Sequence, residues 1–235
     1  MRLLHKLVAA ASLSLLALGA GASPSNPQSG VDYRVLDKAQ QTDAPAGKVE
    51  VTEFFWYSCP HCNALDPSLN DWVKKHADKI VFKRVPVAFR ESFVPQQRLY
   101  YTLEAMGKLD ELHAKVFRTI HADRHPLDTE ASIINWIGQQ PGIDKQKFAE
   151  TYNSFGIQSK ARRATQLQAA YQVDGVPLIA IDGRYITSPS IVGTSMRNAP
   201  EPQLHAATLQ VMDALVAQAA KEKGGSAAAE PAKKK

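Results

Sequence analysis

Apolar positions along this chain follow two periods, and the switches between them divide it. Val49-Glu50-Val51-Thr52-Glu53-Phe54-Phe55-Trp56-Tyr57 is β-branched and aromatic and ends in an almost continuous apolar run, the pattern of a buried strand. Ile80 to Val87 predicts a second strand and Leu178-Ile179-Ala180-Ile181 a third. Asp182-Gly183 then separates that run from Arg184-Tyr185-Ile186-Thr187, and Asp-Gly between two apolar runs predicts a hairpin. A short run from Val31 to Leu36 predicts an edge strand.

Helical spacing takes over elsewhere. Leu65, Leu69, Trp72 and Val73 fall at i, i+4, i+7 and i+8, predicting a helix from Pro60 to about His76 with a kink at Pro67. From Gln96 to Gln172 the chain is rich in Ala, Gln, Lys, Arg and Glu. Four or five short helices are expected there, broken near Gly107, His125-Pro126, Gln140-Pro141-Gly142 and Gly156. Leu204, Thr208, Val211 and Leu215 mark a last helix behind Pro200 and Pro202. A helical block this long between strands is most simply an insertion into an α/β domain.

The two ends differ from this body. Arg2, His5 and Lys6 precede an apolar run from Leu7 to Leu18, and Ala20-Gly21-Ala22 closes it. The run is shorter than the roughly 20 residues a membrane span needs, so residues 1–22 read as a secretory signal peptide. Residues 221–235, KEKGGSAAAEPAKKK, are polar and of low complexity, and a disordered basic tail is expected.

Charge changes the picture less than its total suggests. The formal net charge is +5. The leader holds two of the 28 Lys+Arg, and the tail five Lys and two of the 23 acids, so residues 23–220 carry 21 of each. The body is formally neutral, and no nucleic-acid partner is expected.

The two cysteines carry the chemistry. Export places the chain where disulfides persist, but a pair three positions apart closes almost no loop and adds little stability. Structural zinc needs about four ligands. There is no second cysteine pair, and His113, His121 and His125 stand at no zinc-like spacing, so they read as surface or packing residues and no metal is expected. Cys59-Pro60-His61-Cys62 lies where a buried strand gives way to a helix. Unpaired N–H groups and a partial positive charge at a helix N-terminus favour a thiolate, so Cys59 should ionise easily. Pro60 suits the first helical position, and His61 would add support to the anion. Cys62, one turn deeper, can reach Cys59 but not a bulky substrate. These residues define a thiol–disulfide exchange site.

The Cys-Pro-His-Cys motif, the preceding Glu53-Phe54-Phe55-Trp56-Tyr57-Ser58, the Gly175-Val176-Pro177 before a strand, and the helical block together resemble the DsbA family of periplasmic disulfide oxidases over residues 30–218. The resemblance implies a thioredoxin fold with an inserted all-helical domain: residues 30–92 and 166–218 form the thioredoxin-like domain and 93–165 the insertion. It implies that Pro177 is a cis proline against the cysteine pair, and that Val176 offers backbone groups to an extended substrate. It further implies that Glu53 is a buried acid paired with a lysine on the next strand, for which Lys83 fits.

On the same footing, the implied activity is oxidation of reduced, unfolded exported proteins in the periplasm by a monomer. Reoxidation falls to a quinone-linked membrane partner of the DsbB type, and no bound cofactor is required. An isomerase or reductase shares the chemistry. A dimeric isomerase would need an N-terminal domain for which the residues before the first strand leave no room. A non-catalytic binding or chaperone module would not need both cysteines, and a glutathione-transferase-like relative would not need Cys62.

Overall fold

The structure is a computed structural model, and it describes residues 25–229. The proposed signal peptide lies outside the described residues. Five strands form one mixed sheet: β1 (Arg34–Val35), β2 (Val49–Phe55), β3 (Ile80–Pro86), β4 (Leu178–Ile181) and β5 (Tyr185–Thr187), in the order β1-β5-β4-β2-β3. β2 and β3 are parallel, and every other pairing is antiparallel. A parallel pair needs a crossover, which α1 (Pro60–Lys75) supplies, running without interruption through Pro67.

The pleat sorts the apolar side chains into two layers. Ile179 and Ile181 of β4, with Val49 and Val51 of β2, pack on Leu65, Leu69 and Trp72 of α1 and on the last helix, α8 (Glu201–Ala229). Leu178 and Ala180 turn to the opposite face, where Phe54 joins the helical block. That block consists of α2 (Val94–Ala105), α3 (Leu109–His121), α4 (Glu130–Ile137), α5 (Lys145–Tyr152) and α6 (Phe155–Ala170), all between β3 and β4. The fold is α/β, a thioredoxin fold carrying a helical insertion. β2 is buried along its whole length because both of its faces are covered.

Local chemistry explains where the elements stop. Asp182 and Gly183 both have positive φ at the centre of a turn closed by the Arg184 amide donating to the Ile181 carbonyl at 3.1 Å, and an added Cβ at Gly183 would stand 2.1 Å from the Gln40 carbonyl oxygen. The last break in the block falls at Asn153-Ser154 rather than at Gly156, which lies inside α6. Ser154 caps that helix by accepting a hydrogen bond from the Ile157 amide at 3.3 Å. One short helix, α7 (Pro189–Val192), has no counterpart in the apolar pattern; Ser188 caps it.

The expectation of a disordered tail over residues 221–235 is corrected over its first part, and residues 230–235 lie outside the described residues. The stretch from Lys221, expected to be disordered, continues α8 as far as Ala229. Ala, Glu and Lys are good helix formers, and the helix finds partners on the hairpin. Glu222 accepts from the Tyr185 hydroxyl at 2.7 Å, and Lys223 pairs with Asp182 at 2.5 Å.

Candidate active site

Cys59 is the N-cap of α1 and Pro60 its first residue, so the motif sits at the strand-to-helix junction. Both cysteines are free thiols. They differ in access: Cys59 retains 6 % of its surface, and Cys62 none. Across from them the Val176–Pro177 bond is cis. The Val176 carbonyl faces the pair and accepts from the Cys59 thiol at 3.4 Å.

The two sulfurs sit in opposite electrostatic settings. A hydrogen bond from Cys62 lowers the Cys59 pKa first, and the amides of Cys62 and His61 and the His61 imidazole assist, together bringing it to about 6 against the pull of burial. Burial pushes Cys62 well above its ordinary value, and the neighbouring Cys59 adds to the rise. One thiolate and one thiol is therefore the resting form of the reduced pair at neutral pH. His61 is exposed, and its Nδ1 lies 2.7 Å from Glu201 Oε1. That hydrogen bond raises the His61 pKa.

A charged cluster lies beneath the pair, and its membership corrects the expected Glu53–Lys83 pair. Glu53 is buried, but its partner is Arg84, whose Nε donates to Oε2 at 2.7 Å. Lys83 pairs instead with Glu50 at 2.7 Å and Asp43 at 2.9 Å. The register explains the difference. Glu53 stands opposite Arg84 in the parallel ladder, and successive residues on a strand point to opposite faces, so Lys83 turns away. Arg84 also donates to Asp66 at 3.0 Å and to the Asn70 side-chain oxygen at 2.7 Å. Burial is the largest influence on Glu53 and lifts its pKa to about 7, although Arg84 opposes the rise.

The insertion reaches this cluster and the loop before Cys59. His113 of α3 is buried, and burial lowers its pKa, so it is neutral. Its Nε2–H donates to Asp66 at 3.2 Å, leaving Nδ1 to accept from the Tyr57 hydroxyl at 2.9 Å. His121 Nε2–H donates to the Tyr57 carbonyl at 2.9 Å, and Gln96 donates to the Ser58 hydroxyl at 2.7 Å. Trp56 stacks on Phe93 with ring centroids 3.7 Å apart. His113 and His121 are thus more than surface or packing residues: they hold the active-site loop. Arg84, Asp66, Tyr57 and Glu201 were not anticipated. Only the charge of Arg84 and Asp66 inside apolar stretches could have signalled a buried network.

Beside the cysteines runs a groove of about 660 Å³ whose walls include His61, Val176, Pro177, Ile191, Glu201 and Leu204. A dithiol with one activated sulfur, set at a helix N-terminus of a thioredoxin fold and facing a cis proline across a groove, defines a protein disulfide oxidoreductase.

Comparison with known proteins narrows the class. Residues 50–205 match the model of the DSBA-like thioredoxin domain family, and the chain belongs to that family. It is 44% identical over 188 residues to the thiol:disulfide interchange protein DsbA of Burkholderia cepacia, covering 78% of this chain and 88% of the relative. It is 39% identical over 216 residues to the DsbA of Bordetella parapertussis, covering 92% and 97%. The crystal structure of Pseudomonas aeruginosa DsbA superposes with a TM-score of 0.70 at 32% identity, over 84% of this chain and 100% of that one.

Proposed function

We propose that this oxidoreductase works as an oxidase, donating a Cys59–Cys62 disulfide to reduced, unfolded proteins after their export to the periplasm. The observation that carries the reading is the asymmetry of the sulfurs: a Cys59 pKa brought down to about 6 beside a Cys62 pushed well up. A stabilised thiolate favours the reduced protein, and a dithiol that prefers to be reduced is an oxidant.

The exchange balances as follows. A substrate thiolate attacks Cys59 Sγ; the Cys59–Cys62 bond breaks, and Cys62 leaves with the electron pair and takes up a proton. A second substrate thiolate attacks the substrate sulfur of the mixed disulfide, and Cys59 leaves as a thiolate. The substrate loses two electrons and two protons. The protein gains both electrons and one proton, and the second proton goes to solvent.

The supporting roles follow from position. Pro60 starts the helix whose amides face Cys59, His61 adds positive charge, and Pro177 fixes the opposite wall. Val176 presents backbone groups on which an extended substrate can pair. Glu53 holds a proton near the buried sulfur, and Lys83, turned to the other face, is removed from this set. Residues 1–22 act as the signal peptide. Residues 30–92 and 166–218 carry the catalysis, and 93–165 support it. A DsbB-like quinone-linked membrane oxidase restores the disulfide, and the protein works as a monomer.

The test is transfer to a reduced, unfolded protein with several thiols. The oxidised protein should consume two substrate thiols per molecule. Neither Cys59→Ser nor Cys62→Ser, each left with one thiol and no disulfide to donate, should consume any substrate thiol. Transfer that survives Cys59→Ser would overturn the assignment.

A further inference from the structure

His61 follows the first cysteine closely, yet nothing in its own helix holds its ring. It is two-thirds exposed, with 67% of the side chain accessible. A freely rotating imidazole would give Cys59 little directed support, because an exposed side chain samples several rotamers and charge acts weakly through water. The restraint comes from a residue 140 positions away. Glu201 lies in the first turn of α8, and its Oε1 accepts the Nδ1–H of His61 at 2.7 Å.

Behind Glu201 stands a second imidazole, too far off for a hydrogen bond. His205, one turn further along α8 and nearly buried, has Nε2 3.6 Å from the same Oε1. A carboxylate in the first helical turn suits the positive end of the helix. The groups facing His61 are therefore Glu201 and, behind it, His205 from α8, and Cys59 from its own loop. Arg34 and Asp174, further along the same groove, pair with each other at 3.8 Å.

We propose that Glu201 is a positioning residue for the exchange reaction: it anchors the His61 ring beside Cys59, so that the oxidising strength of the pair depends on a carboxylate at the start of the C-terminal helix. The inference rests on Cys59 being the attacking sulfur. The order of charges sets the sign. With Glu201 ionised, the His61 pKa is raised, so the imidazole keeps its positive charge to higher pH than it would alone, and that charge helps lower the Cys59 pKa. That arrangement stabilises the thiolate, which stabilises the reduced protein. Without the carboxylate the largest cause of that rise is gone, so His61 gives up its charge, and its support of the thiolate, at lower pH. At pH 5.5 His61 is charged either way, and the difference closes.

The experiment compares the equilibrium of the full-length protein with glutathione at pH 7.5 and 5.5 in four forms: unchanged, Glu201→Gln, Glu201→Asp and Glu201→Gln in a His61→Phe background. Glutamine keeps the shape and an acceptor, so a folded protein is expected, and circular dichroism checks it. At pH 7.5 Glu201→Gln should lower the equilibrium constant for glutathione oxidation roughly threefold, the size of an exposed ion pair's effect, or about 14 mV. The shift should vanish at pH 5.5, Glu201→Asp should restore part of it, and the His61→Phe background should abolish it. No shift at pH 7.5, a shift in the opposite direction, or an equal shift without His61 would overturn the proposal. Alkylation of Cys59 in the unchanged protein tests the underlying reading separately, because that reading fails if Cys59 does not react below neutral pH.

Discussion

Replacing Glu53 by glutamine should stabilise the reduced protein at pH 8 and leave it unchanged at pH 4.5. Glutamine copies the shape and the neutral state of a protonated glutamate, and its oxygen can still accept from Arg84. The wild-type carboxyl titrates at about 7 in the folded chain against an ordinary 4.5, chiefly because it is buried. A carboxyl raised in this way is fully tolerated below its unfolded pKa and costs stability as pH rises through its folded one. The window is therefore pH 4.5 to 7. Each pKa unit is worth about 1.4 kcal/mol, so ionised Glu53 costs on the order of 3 kcal/mol at pH 8. For a chain of this size that is on the order of 6–12 °C in Tm. Arg84 keeps Asp66 as a partner in the variant, so no buried cation is left alone. The assay is thermal unfolding of wild type and Glu53→Gln at pH 4.5, 6 and 8, both reduced. A Tm gap that opens with pH bears the argument out. A gap independent of pH, or a variant less stable at pH 8, would refute the claim that Glu53 is held above its ordinary pKa by burial.

Two further outcomes follow from the geometry. In the reduced protein, iodoacetamide should modify Cys59 with a rate that reaches half its plateau near pH 6, while Cys62 stays unmodified up to pH 9; peptide mapping separates the two. Gly183→Ala should cost about 2 kcal/mol or more in denaturant unfolding, because its Cβ would collide with the Gln40 carbonyl at a positive φ. A cost near zero would mean the hairpin and the segment before β2 move apart freely.

Much of the architecture was readable from period alone. β2, β3 and the Asp182-Gly183 hairpin alternate or run apolar as their burial requires, and the cysteine motif falls at the junction the pattern marked. What escaped was set by register and by long separations. Glu53 is paired one residue further along β3 than expected, and a one-residue step on a strand changes the face. Tyr57 meets His113 across 56 positions and His61 meets Glu201 across 140, with no local pattern to announce either. α7 is a four-residue helix set by a cap and a proline, too short to show a period. The end of α8 was read by complexity, whereas Glu222 and Lys223 tie its start to the hairpin, contacts that no local pattern announces.

The reading as an oxidase stands or falls on the redox equilibrium of Cys59–Cys62 with glutathione at neutral pH. A strongly stabilised Cys59 thiolate predicts an oxidising couple, with a potential well above about −200 mV. A thioredoxin-like value of about −270 mV would contradict it and make the protein a reductase.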